Sequence, residues 1–163
     1  MKSIKLEICN ALGEENLAFL GYSDTELVKI EKLYDVVIDG QFKVFLAEMG
    51  KSYGGVIGDY DMLLYRSRLS LRSHILFQAS FFTSMQEIGA YDYLNKPFVF
   101  ALLSETYYYF LQTSKRDDLV YLYDENEDTV SPTGETLFEF LIKLAVSYKG
   151  KPRVVTQGNL IEI

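Results

Sequence analysis

Between Lys96 and Glu125 the chain carries three apolar, aromatic-rich runs joined by short polar links: "KPFVFALLSE", "TYYYFLQT" and "LVYLYDE". Pro97 resists helix at the head of the first run, and the almost unbroken apolar stretch behind it reads as a strand buried on both faces. The second run alternates Tyr107, Tyr109 and Leu111 against Tyr108, Phe110 and Gln112. The third sets Leu119, Tyr121 and Tyr123 against Val120 and Leu122. A strict period of two is the mark of a strand, and links this short join antiparallel neighbours. The expectation is a meander over residues 98–103, 107–113 and 119–124. No all-helical fold accommodates it.

Helical signals flank the meander. Ser23 with Glu26 forms a capping box before Leu27, Ile30, Leu33 and Tyr34, and Asp39 caps a helix carrying Phe42, Phe45, Leu46 and Met49 up to Gly50. Residues 1–20 fit both a helical stripe (Ile4, Ile8, Leu12) and a strand alternation (Ile4, Leu6, Ile8), with helix preferred. Four glycines in "GKSYGGVIGD" suit a tight turn into a short strand around Val56 and Ile57, and the spacing is not that of a phosphate loop. From Met62 to Tyr93 the pattern is mostly helical, with Leu69, Ile75, Leu76, Ala79, Phe82 and Met85 as its apolar stripe and Arg66, Arg68 and Arg72 near its start. A last helix is expected over about 134–148, capped by Ser131 with Pro132 in its first turn, on a stripe of Leu137, Phe138, Leu141, Leu144, Ala145 and Tyr148. Residues 150–163 form an edge strand or a tail. The fold class is α+β: one domain over 1–163, a mainly antiparallel sheet with helices packed around it.

Charge and chemistry narrow the function. A length of 163 residues, 48% of them hydrophobic, supports a real core, and a net charge of −7 disfavours nucleic acid, whose phosphates need Lys and Arg. A single cysteine, Cys9, excludes an internal disulfide and fits a reducing, cytoplasmic setting. No run approaches the ~18 apolar residues of a membrane span. His74 is the only histidine, sits in a helical pattern, and lies far in sequence from Cys9, so neither a nucleophile–base pair nor a zinc site is indicated. Asp124, Asn126, Asp128 and Glu135 fall at positions 1, 3, 5 and 12 of a calcium loop. Thr129 stands where that loop needs glycine, and a strand precedes it. The reading is a solvated acidic loop, with no metal, no cofactor and no catalysis.

The order of segments, "SDTELVKIEKLYDVVI", "DGQFKVFLAEMGKSYGGVIGD", "FVFALLSETYYYFLQT", "LVYLYDENED" and "TLFEFLIKLA", resembles the SUKH superfamily over about residues 22–146. That superfamily takes in fungal cell-wall synthesis regulators and bacterial immunity proteins encoded beside polymorphic toxins. This chain has Ile38-Asp39 where the family usually shows Leu-Pro, and it has no tryptophan. The resemblance implies a non-catalytic protein that neutralises a cognate toxin, often a nuclease or deaminase with a basic substrate site. A regulatory or scaffolding module of the same fold is the alternative. Asp117, Asp118, Asp124, Glu125, Glu127 and Asp128 place six acids in twelve residues. They are the expected docking rim for a basic partner, joined by Asp59 and Asp61, with Tyr121 or Tyr123 as an aromatic anchor.

Overall fold

The structure is a computed structural model that describes residues 2–57, 62–63 and 71–162. Helix α1 (Ile4–Leu12) buries Ile4, Ile8 and Leu12, so the helical stripe prevails over the strand alternation. A two-stranded antiparallel sheet pairs β1 (Phe19–Leu20) with β2 (Ser52–Tyr53). Between them lie α2 (Asp24–Tyr34), whose Ser23/Glu26 capping box forms as read, and α3 (Gly40–Met49), capped by Asp39. The turn glycines Gly54 and Gly55 take φ of +61° and +71°, the left-handed region a side chain disfavours. The short strand, however, is Ser52–Tyr53, ahead of the turn. Val56 and Ile57 are buried in the bend behind it.

The main sheet has five strands in the order β3 (Met62–Leu63), β4 (Pro97–Leu103), β5 (Tyr107–Gln112), β6 (Leu119–Asp124) and β7 (Thr129–Thr136), all antiparallel. The three expected strands are present in the expected register of faces. Phe98, Phe100, Leu111 and Val120 join the larger core with α1, α2, α3 and α5 (Leu137–Ser147), whereas Val99, Phe110, Tyr121 and Tyr123 form a second core under α4 (Leu71–Glu87). Helices therefore cover both faces, which is why β4 reads as apolar throughout.

Two expectations about the segments flanking the three strands change. Residues 129–136 form a fourth meander strand, so Pro132 lies in β7 and not in a helix, and Thr136 with Glu139 makes the capping box of α5. β7 is an edge strand, where a proline without an N–H costs no ladder bond, and the irregular pairing between Leu119 and Tyr121 further blunts that edge. The second change concerns the long helical pattern. Met62 and Leu63 are strand, and α4 is described over Leu71–Glu87. Of its expected stripe only Met85 is buried: Ile75, Leu76 and Phe82 are exposed, and Leu69 lies outside the described residues. His74, Phe81 and Met85 face inward because the sheet offers Tyr108, Phe110 and Tyr123 to Phe81, at ring centroid distances of 6.1, 5.0 and 6.2 Å. Gln78 completes that face. Its amide donates to the Val99 carbonyl (2.8 Å) and accepts from the Val99 N–H (3.0 Å), standing in for a neighbouring strand at this point of β4.

Residues 150–162 form neither an edge strand nor a loose tail. They lie across the helical layer as an irregular strap, with Leu160 fully buried. The Leu160 N–H donates to the Tyr22 hydroxyl (2.8 Å) and its carbonyl accepts from the Tyr34 hydroxyl (2.7 Å), while Gly158 N–H reaches the Lys51 carbonyl (3.0 Å). Leu160→Ala is expected to cost about 2–5 kcal/mol, as other buried leucines do, seen as a lower urea midpoint. A midpoint unchanged from wild type would mean that the strap does not hold the core closed.

Candidate partner-binding surface

The six acids do not form one cluster. Antiparallel strands place successive links at alternate ends, so the β5–β6 link and the β6–β7 turn lie at opposite ends of β6. Six residues at about 3.3 Å each put roughly 20 Å between them. Asp117 and Asp118 occupy the first end and are used structurally. Asp118 Oδ1 accepts the Gln41 N–H at the start of α3 (2.9 Å), its carbonyl accepts the Leu137 N–H (2.9 Å), and Asp117 Oδ1 accepts the Leu119 N–H (3.1 Å). Burial, then the Asp117 and Asp39 charges, push the Asp118 carboxyl above its ordinary range, against the pull of the Gln41 N–H.

The other end is built differently. Asp124, Glu125, Glu127 and Asp128 surround the tight β6–β7 turn, and the β4–β5 turn brings Glu105 to the same end. The two turns are tied together: Glu125 N–H donates to the Thr106 carbonyl (3.0 Å) and Asn126 Nδ2 to the Thr106 hydroxyl (2.9 Å). Asp124 Oδ1 accepts the Asn126 N–H (2.9 Å), fixing the turn. None of these five carboxylates pairs with a base among the described residues. Some acids elsewhere are neutralised locally, as in Lys51–Glu26 (2.7 Å), Lys143–Glu135 (2.8 Å), Lys96–Asp35 (3.0 Å), Arg116–Asp39 (3.6 Å) and Arg153–Glu14. The turn end gathers five carboxylates without such a partner at one place.

Tyr121 and Tyr123, expected as exposed anchors, are 7% and 3% exposed and belong to the core under α4. Tyr121 stacks on Phe110 at 5.6 Å and Tyr123 lies against Phe81. Only the Tyr123 hydroxyl reaches the rim, donating to Asp128 Oδ1 (3.4 Å), as Tyr108 does to Glu125 Oε2 (3.4 Å). Burial, and then the Asp128 charge, push the Tyr123 phenol up to about 12. Asp59 and Asp61 lie outside the described residues, as do Arg66 and Arg68. Glu105 stands outside the acidic run 117–128, and it is the alternation of ends along β4, β5 and β6 that puts the β4–β5 turn beside the segment after β6.

The residues considered for catalysis do not meet. Cys9 packs in the helical layer on one face of the sheet, and His74 is buried on α4 at the other. Glu135 of the calcium-loop pattern stands on β7, bound to Lys143, because the strand carries it away from the turn. Among the described residues no group of three or more His, Cys, Asp or Glu side chains is placed to hold a metal, and no helix is long and apolar enough to cross a membrane.

Burial pulls the His74 imidazole down to about 4. A base with a depressed folded pKa contributes stability that is present above its unfolded value, near 6.5, and is lost as pH falls through about 4. The loss amounts to about 3 kcal/mol between those values. Urea midpoints measured from pH 7 to pH 4 should fall steeply for the wild type and less for His74→Gln. Parallel curves would contradict a neutral buried histidine.

No family model, no curated protein and no solved structure matches this chain.

Proposed function

We propose that the chain is an immunity protein: a non-catalytic, cytoplasmic binder that occupies and neutralises a cognate basic toxin of the nuclease or deaminase kind. The observation that carries this reading is the turn end, where Glu105, Asp124, Glu125, Glu127 and Asp128 gather at one end of the sheet with no base paired to them among the described residues. Bare like charges at one place disfavour the isolated fold slightly and favour a cationic partner, whose approach they accelerate. The segment order that resembles the SUKH superfamily supports the same role. The burial of His74 and its separation from Cys9 support the absence of catalysis.

The experiment is co-expression with a candidate toxin, a small basic nuclease or deaminase domain sought in the neighbouring reading frames. Cells producing that domain are expected to survive when the chain is present and to die without it. Undiminished killing with the chain present in soluble form would overturn the proposal. The alternative, a regulatory or scaffolding module, draws on one separate feature. Leu33, Ile75 and Phe82 line an open groove of about 570 Å³ between α2 and α4, which would suit an apolar partner.

A further inference from the structure

We propose that a second groove, between β7 and α5, receives an arginine side chain of the basic partner. The inference rests on the partner being basic and specifies how it is held. The groove measures about 390 Å³. Its floor is one row across three strands, Tyr109, Leu122 and Ser131, which are paired in register and so share a face. Phe140 and Leu144 of α5 form the wall, with the Phe140 ring 4.7 Å from that of Tyr109.

The next row on this face, toward the acidic turns, is Tyr107, Asp124 and Thr129, again in register. One row is two residues along a strand, about 7 Å. An apolar, aromatic trough thus ends one row from a half-buried carboxylate of the acidic turn. Ser147, in the last turn of α5, also lines it, which places the negative end of a helix dipole beside the same space. Among the described residues Lys143 is the only base lining the groove, and it is held by Glu135 at 2.8 Å.

These features select the occupant. An anion is repelled, and a purely apolar side chain would strip water from Asp124 and return no hydrogen bond. A lysine has the stem but ends in a compact, strongly hydrated ammonium. An arginine lays its aliphatic stem along Leu122 and Leu144, stacks its planar head on tyrosine and phenylalanine rings, and offers two parallel N–H donors to one carboxylate. Arginine is also among the residues that dominate interface energetics when so enclosed.

The test is an amide chemical-shift titration at low salt with capped Ala-Arg-Ala, its citrulline counterpart and its lysine counterpart. The arginine peptide should shift the amides of Leu122, Ser131 and Ser147. The neutral citrulline peptide should leave them in place, and Asp124→Asn should weaken the arginine response by about fivefold or more while keeping the turn's Asn126 contact. Ser131→Tyr, which fills the floor, should abolish it. Shifts confined to Glu125–Asp128 and equal for arginine and lysine would overturn the groove but leave a basic partner standing. A groove that takes the arginine peptide in a chain that fails to rescue cells would instead remove the immunity role alone. Absence of any shift at Leu122, Ser131 and Ser147 also overturns the proposal.

Discussion

Gly21→Ala is expected to lower the stability of the folded chain by about 3 kcal/mol or more, beyond the usual effect of one added methyl group. A Cβ at this position would stand 1.8 Å from the Ala47 carbonyl oxygen and 2.2 Å from its carbon. Both are backbone atoms of α3, so no side-chain rotation relieves the contact. The two backbones are drawn together by the Tyr22 N–H, which donates to the Leu46 carbonyl at 3.0 Å, and by the pairing of β1 with β2. Relief requires β1 and the start of α2 to move off α3, which would uncover Phe45, Leu46 and Met49. Urea denaturation followed by circular dichroism measures the effect. A loss below about 1 kcal/mol would mean that this approach is not a fixed part of the fold.

Neutralising Asp124, Glu125, Glu127 and Asp128 together, as Asn or Gln, is expected to slow association with the proposed basic toxin about tenfold or more at low salt. It should also flatten the dependence of that rate on salt. The matching change at the other end, Asp117→Asn with Asp118→Asn, should leave the rate near wild type. The ends lie roughly 20 Å apart, about twice the screening length at 0.1 M salt, so at that point of the salt series each acts alone on an incoming charge. Asp118→Asn keeps an acceptor for the Gln41 N–H and removes a charge that burial and its neighbours already penalise, so stability should hold. Stopped-flow mixing across a salt series separates the two variants. Equal slowing by both would place the contact elsewhere.

How far the sequence could be read depended on whether a local pattern had one solution. Capping at Ser23 and Asp39 did, because a side chain and an N–H a few residues away decide it without the rest of the chain. The alternation in β5 and β6 did too, since a period of two assigns every side chain to a face. The segment after Asp124 had two solutions. Ser131-Pro132 matches a helix start, yet the edge of the sheet tolerates a proline equally well, and Thr136 provides the stronger cap through Glu139. The face of α4 also had two solutions, because Ile75, Leu76 and Phe82 are as apolar as Phe77 and Phe81. The tertiary partners, the rings of Tyr108, Phe110 and Tyr123, made the choice.

The candidate site followed the same division. That the segment 117–128 is acidic was plain, but which acids act together depends on the ends of the sheet they reach. The links on either side of β6 lie at opposite ends, so the run is divided between them. Tyr121 and Tyr123 were legible as a pair on one face, and a tyrosine on a strand suits either a core or an interface. Only the position of α4 over that face decides for the core. The trough beside β7 had no sequence signature, since Tyr109, Leu122, Ser131 and Phe140 come from four elements.

The most direct measurement is a titration of a purified candidate toxin domain's activity with this chain. If the chain is a tight, stoichiometric inhibitor, activity should fall linearly and reach zero at one equivalent, and neutralising the four turn acids should bend that line into a shallow curve. Full toxin activity in a several-fold excess of folded chain would contradict the account.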